Sequence, residues 1–249
     1  MSPENHPITR ERYDAILFDL DGVLTATAKV HAASWKVMFD EFLRRRAEER
    51  GEPFRPFEIA TDYHEHVDGK PRFDGVRDFL ASRDIKLPEG SPEDTSGEET
   101  VYSLGIRKDD MVKRTLKKDG VEVYEGSIAL ARRWRDEGYK MAVVSASKNC
   151  EAVLKAAGIE GLFELRVDGV VASERKLAGK PRPDTFLEAA KELGVSPDRA
   201  VVVEDAISGV QAGRAGKFGL VIGVNRQDKA DALRENGADL VVSDLAEIP

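Results

Sequence analysis

A single cysteine, Cys150, excludes an internal disulfide framework and fits a reducing cytosol. No apolar run reaches the ~18 residues that a membrane span requires, so no membrane association is expected. The opening stretch, Met1 to Arg12, is polar and carries no apolar signal region. It reads as a loose tail, and no export is expected. Basic charge is in deficit: 38 Lys and Arg against 46 Asp and Glu leave a net charge of −8. That balance argues against broad nucleic-acid binding, although a local basic pocket for a phosphorylated metabolite stays open. No internal repeat is present. The 249 residues are 41% hydrophobic and 34% charged, enough for a packed core in one large α/β domain or a core plus a smaller domain.

The first strong strand signal is Ala15-Ile16-Leu17-Phe18, a continuous apolar run of the buried, parallel type. Similar runs recur at Met141 to Val144, Ala200 to Val203, Leu220 to Ile222 and Leu240 to Val242. Helical patterns separate them. One covers Ser127 to Glu137 and stops at Gly138; another covers Asp184 to Leu193, after Pro183 and before Gly194. Strands alternating with helices imply a doubly wound parallel sheet, Rossmann-like in kind. Residues 28 to about 122 differ: Val30 to Arg50 reads as one long helix, no comparable strand follows, and Leu87 to Thr100 is a polar loop. This stretch is expected to be an inserted α-helical cap domain (28–122) on a core of residues 1–27 and 123–249, with hinges at Leu24–Thr27 and Glu122–Gly126.

Four polar motifs each follow an apolar strand or lie in a loop near one: Asp19-Leu20-Asp21-Gly22, Ser145 to Asn149, Gly179-Lys180-Pro181 and Glu204-Asp205. Open parallel sheets bind ligands outside the carboxyl ends of their strands. Three of the four motifs are therefore placed at one edge, while the strand leading to Lys180 is weak in sequence. Their chemistry is coherent. A carboxylate approaching a phosphate meets a repulsion of about 4 kcal/mol at ~4 Å and an effective dielectric near 20. A divalent cation and a lysine remove that barrier. Asp19, Glu204, Asp205 and backbone carbonyls are hard oxygen ligands suited to Mg²⁺. Lys180 and the Ser145 hydroxyl would hold the phosphate oxygens, and Asp21 could act as general acid and base. Each motif alone has a plainer reading: an Asp-rich turn, a helix N-cap, a solvated loop lysine, acids at a helix start. Their joint order carries the argument.

That order, Asp-x-Asp-Gly, Ser, Lys-Pro, Glu-Asp, resembles the haloacid dehalogenase superfamily over the whole chain. Phe18 to Val23, Ser145 to Asn149, Gly179 to Asp184 and Leu104 to Asp110 are similar to its β-phosphoglucomutase-like branch. The resemblance implies a core sheet with a helical cap inserted after the first strand, which agrees with the pattern. It makes Asp19 the phosphorylated nucleophile and Asp21 the acid/base. It implies Mg²⁺ on Asp19, the Asp21 carbonyl and Asp205, with Glu204 at or near the metal, and a transferring phosphate held by Ser145 and Lys180. In the cap, Gly69 and Arg72 match a phosphate-gripping turn, Lys108 a substrate-contacting lysine, and His31, in a stretch with Trp35, a histidine at the near end of the cap helix. Ser147, Lys148 and Asn149 match a loop that helps bind the distal phosphate, and Ser145 and Ala146, which lead into it, are also expected to bind substrate. One departure is Ala26, where the family commonly has an acidic residue.

His31, Trp35, Met38 and Phe42 also recur at helical spacing, the mark of a packed stripe. The chain is expected to be a soluble, cytoplasmic monomer, and the resemblance implies an enzyme that interconverts β-glucose 1-phosphate and glucose 6-phosphate through a bisphosphate. A phosphatase using the same aspartyl-phosphate is the alternative, and a silent sugar-phosphate sensor is disfavoured by the intact Asp19, Asp21, Lys180 and Asp205 set.

Overall fold

The computed structural model describes residues 8–95, 97–226 and 228–249. Six strands form one all-parallel sheet in the order β3-β2-β1-β4-β5-β6: β1 (Ala15–Phe18), β2 (Lys140–Val144), β3 (Leu165–Val167), β4 (Ala200–Glu204), β5 (Leu220–Val224) and β6 (Leu240–Val242). β1 is central, its Phe18 opposite both Val143 and Val203. β1, β2, β4 and β5 owe their continuous apolar runs to burial on both faces. Ala15 and Leu17 join a core with Phe186, Ala189 and Val210, while Phe18 meets Trp134 at 5.9 Å between ring centroids. β3 escapes sequence reading because it is a three-residue edge strand with a half-exposed arginine, Arg166, at its centre.

Helices α1 (Thr27–Arg50), α2 (Arg72–Ser82) and α3 (Val101–Asp119) and a π-helical segment, Ile59–Val67, fill the interval between β1 and the rest of the sheet. No strand lies among the described residues of that interval. Then come α4 (Glu125–Asp136), α5 (Cys150–Ala156), α6 (Gly169–Glu174), α7 (Asp184–Glu192), α8 (Ile207–Ala215) and α9 (Ala230–Glu235). Contacts divide the chain into two compact units, residues up to Thr27 with Val121–Pro249, and Ala28–Gly120. The helical unit has its own core, in which Trp35 stacks on Phe39 (5.3 Å) and Phe39 packs against Phe57 and Phe79. The stripe of Trp35, Met38 and Phe42 is thus buried core. Thr100 caps α3 by accepting from Ser103 N, with Ser103 returning the bond.

One segment differs from expectation. Of the stretch read as a loose tail, residues 1–7 lie outside the described residues, but Thr9 to Tyr13 is an ordered turn. Thr9 O accepts from Arg12 N and Tyr13 N, and Arg10 donates to Asp14 O at 2.9 Å. Arg199 ties the same turn to the base of β4 through Asp14. The two segments read as hinges are paired with each other: Ala26 N donates to Glu122 O (2.9 Å), Tyr124 N donates to Leu24 O (3.0 Å), and Thr25 and Val123 form an antiparallel bridge. Leu87 to Thr100 has neither helix nor strand among its described residues; Ser96 lies outside them. No helix among the described residues is long and apolar enough to cross a membrane.

Candidate active site

Strand order reverses between β1 and β4, the place at the carboxyl edge where open parallel sheets bind ligands. Asp19 leaves β1 with its N–H donating to Val203 O at 2.9 Å. Glu204 ends β4 and Asp205 follows it. Asp19, Glu204 and Asp205 are all buried, and one carboxylate oxygen of each lies within 4.8 Å of the others. Two glycines make the room. Gly22 has φ +92°, and a Cβ there would overlap the Asp205 carboxylate; a Cβ at Gly209 on α8 would overlap that of Glu204.

Lys180 lies on the loop after α6. Its ammonium donates to Asp19 Oδ1 and Glu204 Oε1, both at 2.5 Å, and to Val144 O at 3.3 Å. The weak strand signal before Lys180 reflects this placement: β3 ends at Val167, and α6 and a loop intervene. Burial alone would lower the lysine's pKa, but Asp19 and Glu204 raise it above its ordinary value, so it is an ammonium. Burial pushes the Asp19 carboxyl well above the usual carboxylate range; Lys180 opposes this, and Glu204 and Asp21 add to it. Among the described residues, one ammonium therefore meets two carboxylates of a buried trio. A divalent cation fits that set in charge, in the hardness of its oxygens and in their spacing. The donors present suit such an ion, with Asp19, Glu204 and Asp205 as candidate holders.

Asp21 stands apart from the trio. Its Oδ1 accepts from the Thr27 hydroxyl, whose oxygen also shares a hydrogen with Thr25 Oγ1 at 2.6 Å. Its Oδ2 lies 3.5 Å from Ser145 Oγ. Ser145 is buried at the end of β2 and accepts from Ser147 N at 3.1 Å, and Ser147 Oγ accepts from Asn149 N at 3.1 Å. The run Ser145-Ala146-Ser147-Lys148-Asn149 is therefore a loop folded on its own hydroxyls, with the Lys148 side chain exposed.

The remaining predicted residues lie within the helical unit. Lys108 Nζ is 2.7 Å from His31 Nδ1 and 4.9 Å from the Trp35 ring centroid, so these three form one group. Gly69 has φ +71° just before α2, and Arg72 opens that helix. Arg72 donates to Asp109 Oδ1 at 2.7 Å. Sequence reading missed Thr27, Gly209, Asp109 and Arg226. Arg226, after β5, donates to Gly22 O (3.1 Å) and anchors the turn behind Asp21. A hydroxyl immediately before a long helical pattern was the one available signal for Thr27.

A model of haloacid dehalogenase-like hydrolases matches residues 13–217. The chain belongs to this family and is an enzyme, a phosphotransferase or phosphatase. It is 53% identical over 241 residues to a β-phosphoglucomutase of Mycobacterium bovis, covering 96% of this chain and 92% of that one. Hexitol phosphatase A of Escherichia coli is 30% identical over 239 residues, covering 95% and 94%. The crystal structure of a β-phosphoglucomutase from Clostridium difficile superimposes with a TM-score of 0.74 at 25% identity, covering 95% and 93% of the two chains.

Proposed function

We propose that the chain is a Mg²⁺-dependent phosphomutase that interconverts β-glucose 1-phosphate and glucose 6-phosphate through an aspartyl-phosphate and a bisphosphate. The observation that carries phosphoryl transfer is the buried Asp19 carboxylate, held by Lys180 among Glu204 and Asp205. The sugar is inferred from the 53% identity to a β-phosphoglucomutase.

In this reading Asp19 attacks phosphorus, and the P–O bond to the sugar breaks as Asp21 delivers a proton to the departing oxygen. The reverse half then follows on a second hydroxyl: Asp21 takes its proton, the oxygen attacks phosphorus, and the Asp19–phosphorus bond breaks. Lys180 and Ser145 bind the phosphoryl oxygens throughout. Bound Mg²⁺, held by Asp19, Asp205 and the Asp21 carbonyl with Glu204 nearby, would supply charge neutralisation between the carboxylate and the phosphate. Thr27 sets the orientation of Asp21. The unit 28–120 acts as the cap, with Arg72 and Gly69 taking the phosphate that is not reacting, and Lys108, His31 and Trp35 facing the sugar. Ala146, Ser147, Lys148 and Asn149 form the loop towards the distal phosphate. The substrate is a small phosphorylated sugar.

A phosphatase is the second reading, favoured by the likeness to a hexitol phosphatase over nearly the whole chain. The two differ in whether water or a sugar hydroxyl meets the phosphoenzyme. The deciding experiment supplies β-glucose 1-phosphate with a trace of its 1,6-bisphosphate and follows glucose 6-phosphate against free phosphate. Glucose 6-phosphate should dominate; release of mainly inorganic phosphate would establish the phosphatase. Asp19→Asn should abolish both products, and near-normal turnover in that variant would remove the aspartyl-phosphate from the mechanism.

A further inference from the structure

Arg72 begins α2 and Asp109 lies within α3. The contact between them is built from both sides. Gly105, one turn before Asp109, leaves space for the α2 side chains: a Cβ there would sit 3.3 Å from Arg72 Cδ and closer still to the Phe73 ring. Phe73 in turn stacks on Tyr102 of α3 at 4.1 Å. Asp109 Oδ1 accepts from Arg72 Nη2 at 2.7 Å, while its Oδ2 lies 2.8 Å from Lys113 Nζ, one turn further along α3. The Arg72 and Asp109 side chains are 19% and 12% exposed, Lys113 58%. A solvated surface pair would be loose; this one is confined.

The consequence lies in how a guanidinium uses its donors. It carries five N–H groups in a fixed planar fork. The bond to Asp109 is the one hydrogen bond that Arg72 makes among the described residues, and it uses one nitrogen. That leaves Nε and Nη1 available, in an orientation that Asp109 fixes. Lys113 offsets Asp109, while Asp110 also acts on the guanidinium. Ordering a long, flexible arginine before the ligand arrives lowers the entropy that binding must overcome.

We infer that Asp109 is the positioning residue for Arg72, holding its guanidinium so that the remaining edge receives the non-reacting phosphate monoester of a sugar bisphosphate. This rests on the mutase reading given above. It makes Asp109 a determinant of sugar phosphorylation, not of phosphoenzyme formation, since attack by Asp19 on a small aryl phosphate needs no second phosphate contact.

The test compares wild type, R72A, D109A, D109N and R72A/D109A. It measures kcat and KM for β-glucose 1-phosphate with its 1,6-bisphosphate, and hydrolysis of p-nitrophenyl phosphate. D109A should raise the KM of the sugar reaction about tenfold while aryl phosphate hydrolysis falls by less than about threefold. D109N retains an oxygen that accepts from Arg72 and should recover most of the loss. The double variant should be no worse than R72A, because one interaction cannot be lost twice. Additive losses, equal damage to both reactions, or a silent D109A beside an impaired R72A would each overturn the role of Asp109 while leaving the mutase reading in place. A silent R72A would overturn the assignment of Arg72 itself, and that of Asp109 with it. Should D109A fail to fold, D109S carries the same comparison.

Discussion

Gly22 faces Asp205 so closely that a Cβ at position 22 would overlap the Asp205 carboxylate. The turn after β1 and the acid after β4 therefore share one volume, and the glycine also holds φ +92°, a region costly for other residues. Gly22→Ala should destabilise the protein by about 1–3 kcal/mol and displace Asp205. Thermal denaturation and a calorimetric Mg²⁺ titration would measure both effects. A variant that binds Mg²⁺ with wild-type affinity would show that Asp205 takes no part in holding the cation.

Among the described residues, Lys180 is the one cation that donates to both Asp19 and Glu204. Replacing it by methionine keeps much of the volume and leaves buried carboxylates without their counter-charge. Lys180→Met should lose about 3–5 kcal/mol of stability in chelator. Added Mg²⁺ should restore part of the loss, since a ligand that binds only the folded state stabilises it. Denaturant titrations with and without Mg²⁺ test this; identical midpoints for variant and wild type in chelator would contradict it.

Protons and cations should compete at Asp19. Its carboxyl is raised well above an ordinary value of about 3.9. Without metal, the folded protein therefore holds this proton more tightly than the unfolded chain does. The stability linked to Asp19 is fully present below the ordinary pKa and is lost as pH rises through the raised folded value. Over the same window Mg²⁺ affinity should climb, with protons released on binding. Calorimetry at intervals from about pH 5 to about pH 8 should show that climb. A flat affinity would mean that Asp19 is already ionised throughout.

Cys150 is fully buried at the start of α5, and burial, Asp21 and Asp168 push its thiol above the ordinary range. The thiolate is the reactive form, so little of it exists near neutrality. Ellman's reagent at mildly alkaline pH should leave the native protein untouched over minutes and react at once in urea. Rapid native labelling would show that the loop from Ser145 to Asn149 opens.

Thr27 donates its hydroxyl hydrogen to Asp21. Thr27→Val should lower turnover about tenfold, equivalent to ~1.4 kcal/mol at the transition state, with Thr27→Ser close to wild type. Unchanged turnover in the valine variant would show that Ser145 and the substrate suffice to orient Asp21.

Much of the architecture was legible because burial writes itself into composition. Ala15 to Phe18 and Ala200 to Val203 are apolar without interruption because both their faces are covered. The polar residues that end such runs, Asp19, Ser145 and Glu204, lie at the sheet edge by the geometry of parallel strands. β3 was hidden by its edge position, and with it the path of the chain to Lys180. Gly209 reads in sequence as a weak point in a helix, since its purpose is a clearance for Glu204 from the preceding strand. Asp109 and Arg226 carry no local signal of their roles. Their partners, Arg72 and Gly22, are distant in the chain, and nothing in local pattern joins them. In the helical unit, the periodicity of Trp35, Met38 and Phe42 found the core directly.

The central position of β1 has a consequence for biosynthesis. Of the six strands of the sheet it is the first to leave the ribosome, yet its two neighbours are residues 140–144 and 200–204. At ~5–20 residues per second, β1 waits on the order of ten seconds for its first partner. During that interval Ala15-Ile16-Leu17-Phe18 is an unpaired apolar segment, while residues 28–120, with an aromatic cluster of their own, have everything needed to collapse. At that stage the nascent chain already contains the whole helical unit but neither partner of β1. Such an edge is a site for chaperone capture or for pairing with another chain. Closure of the sheet, and assembly of Asp19 with Lys180 and Glu204, is among the last events of its maturation.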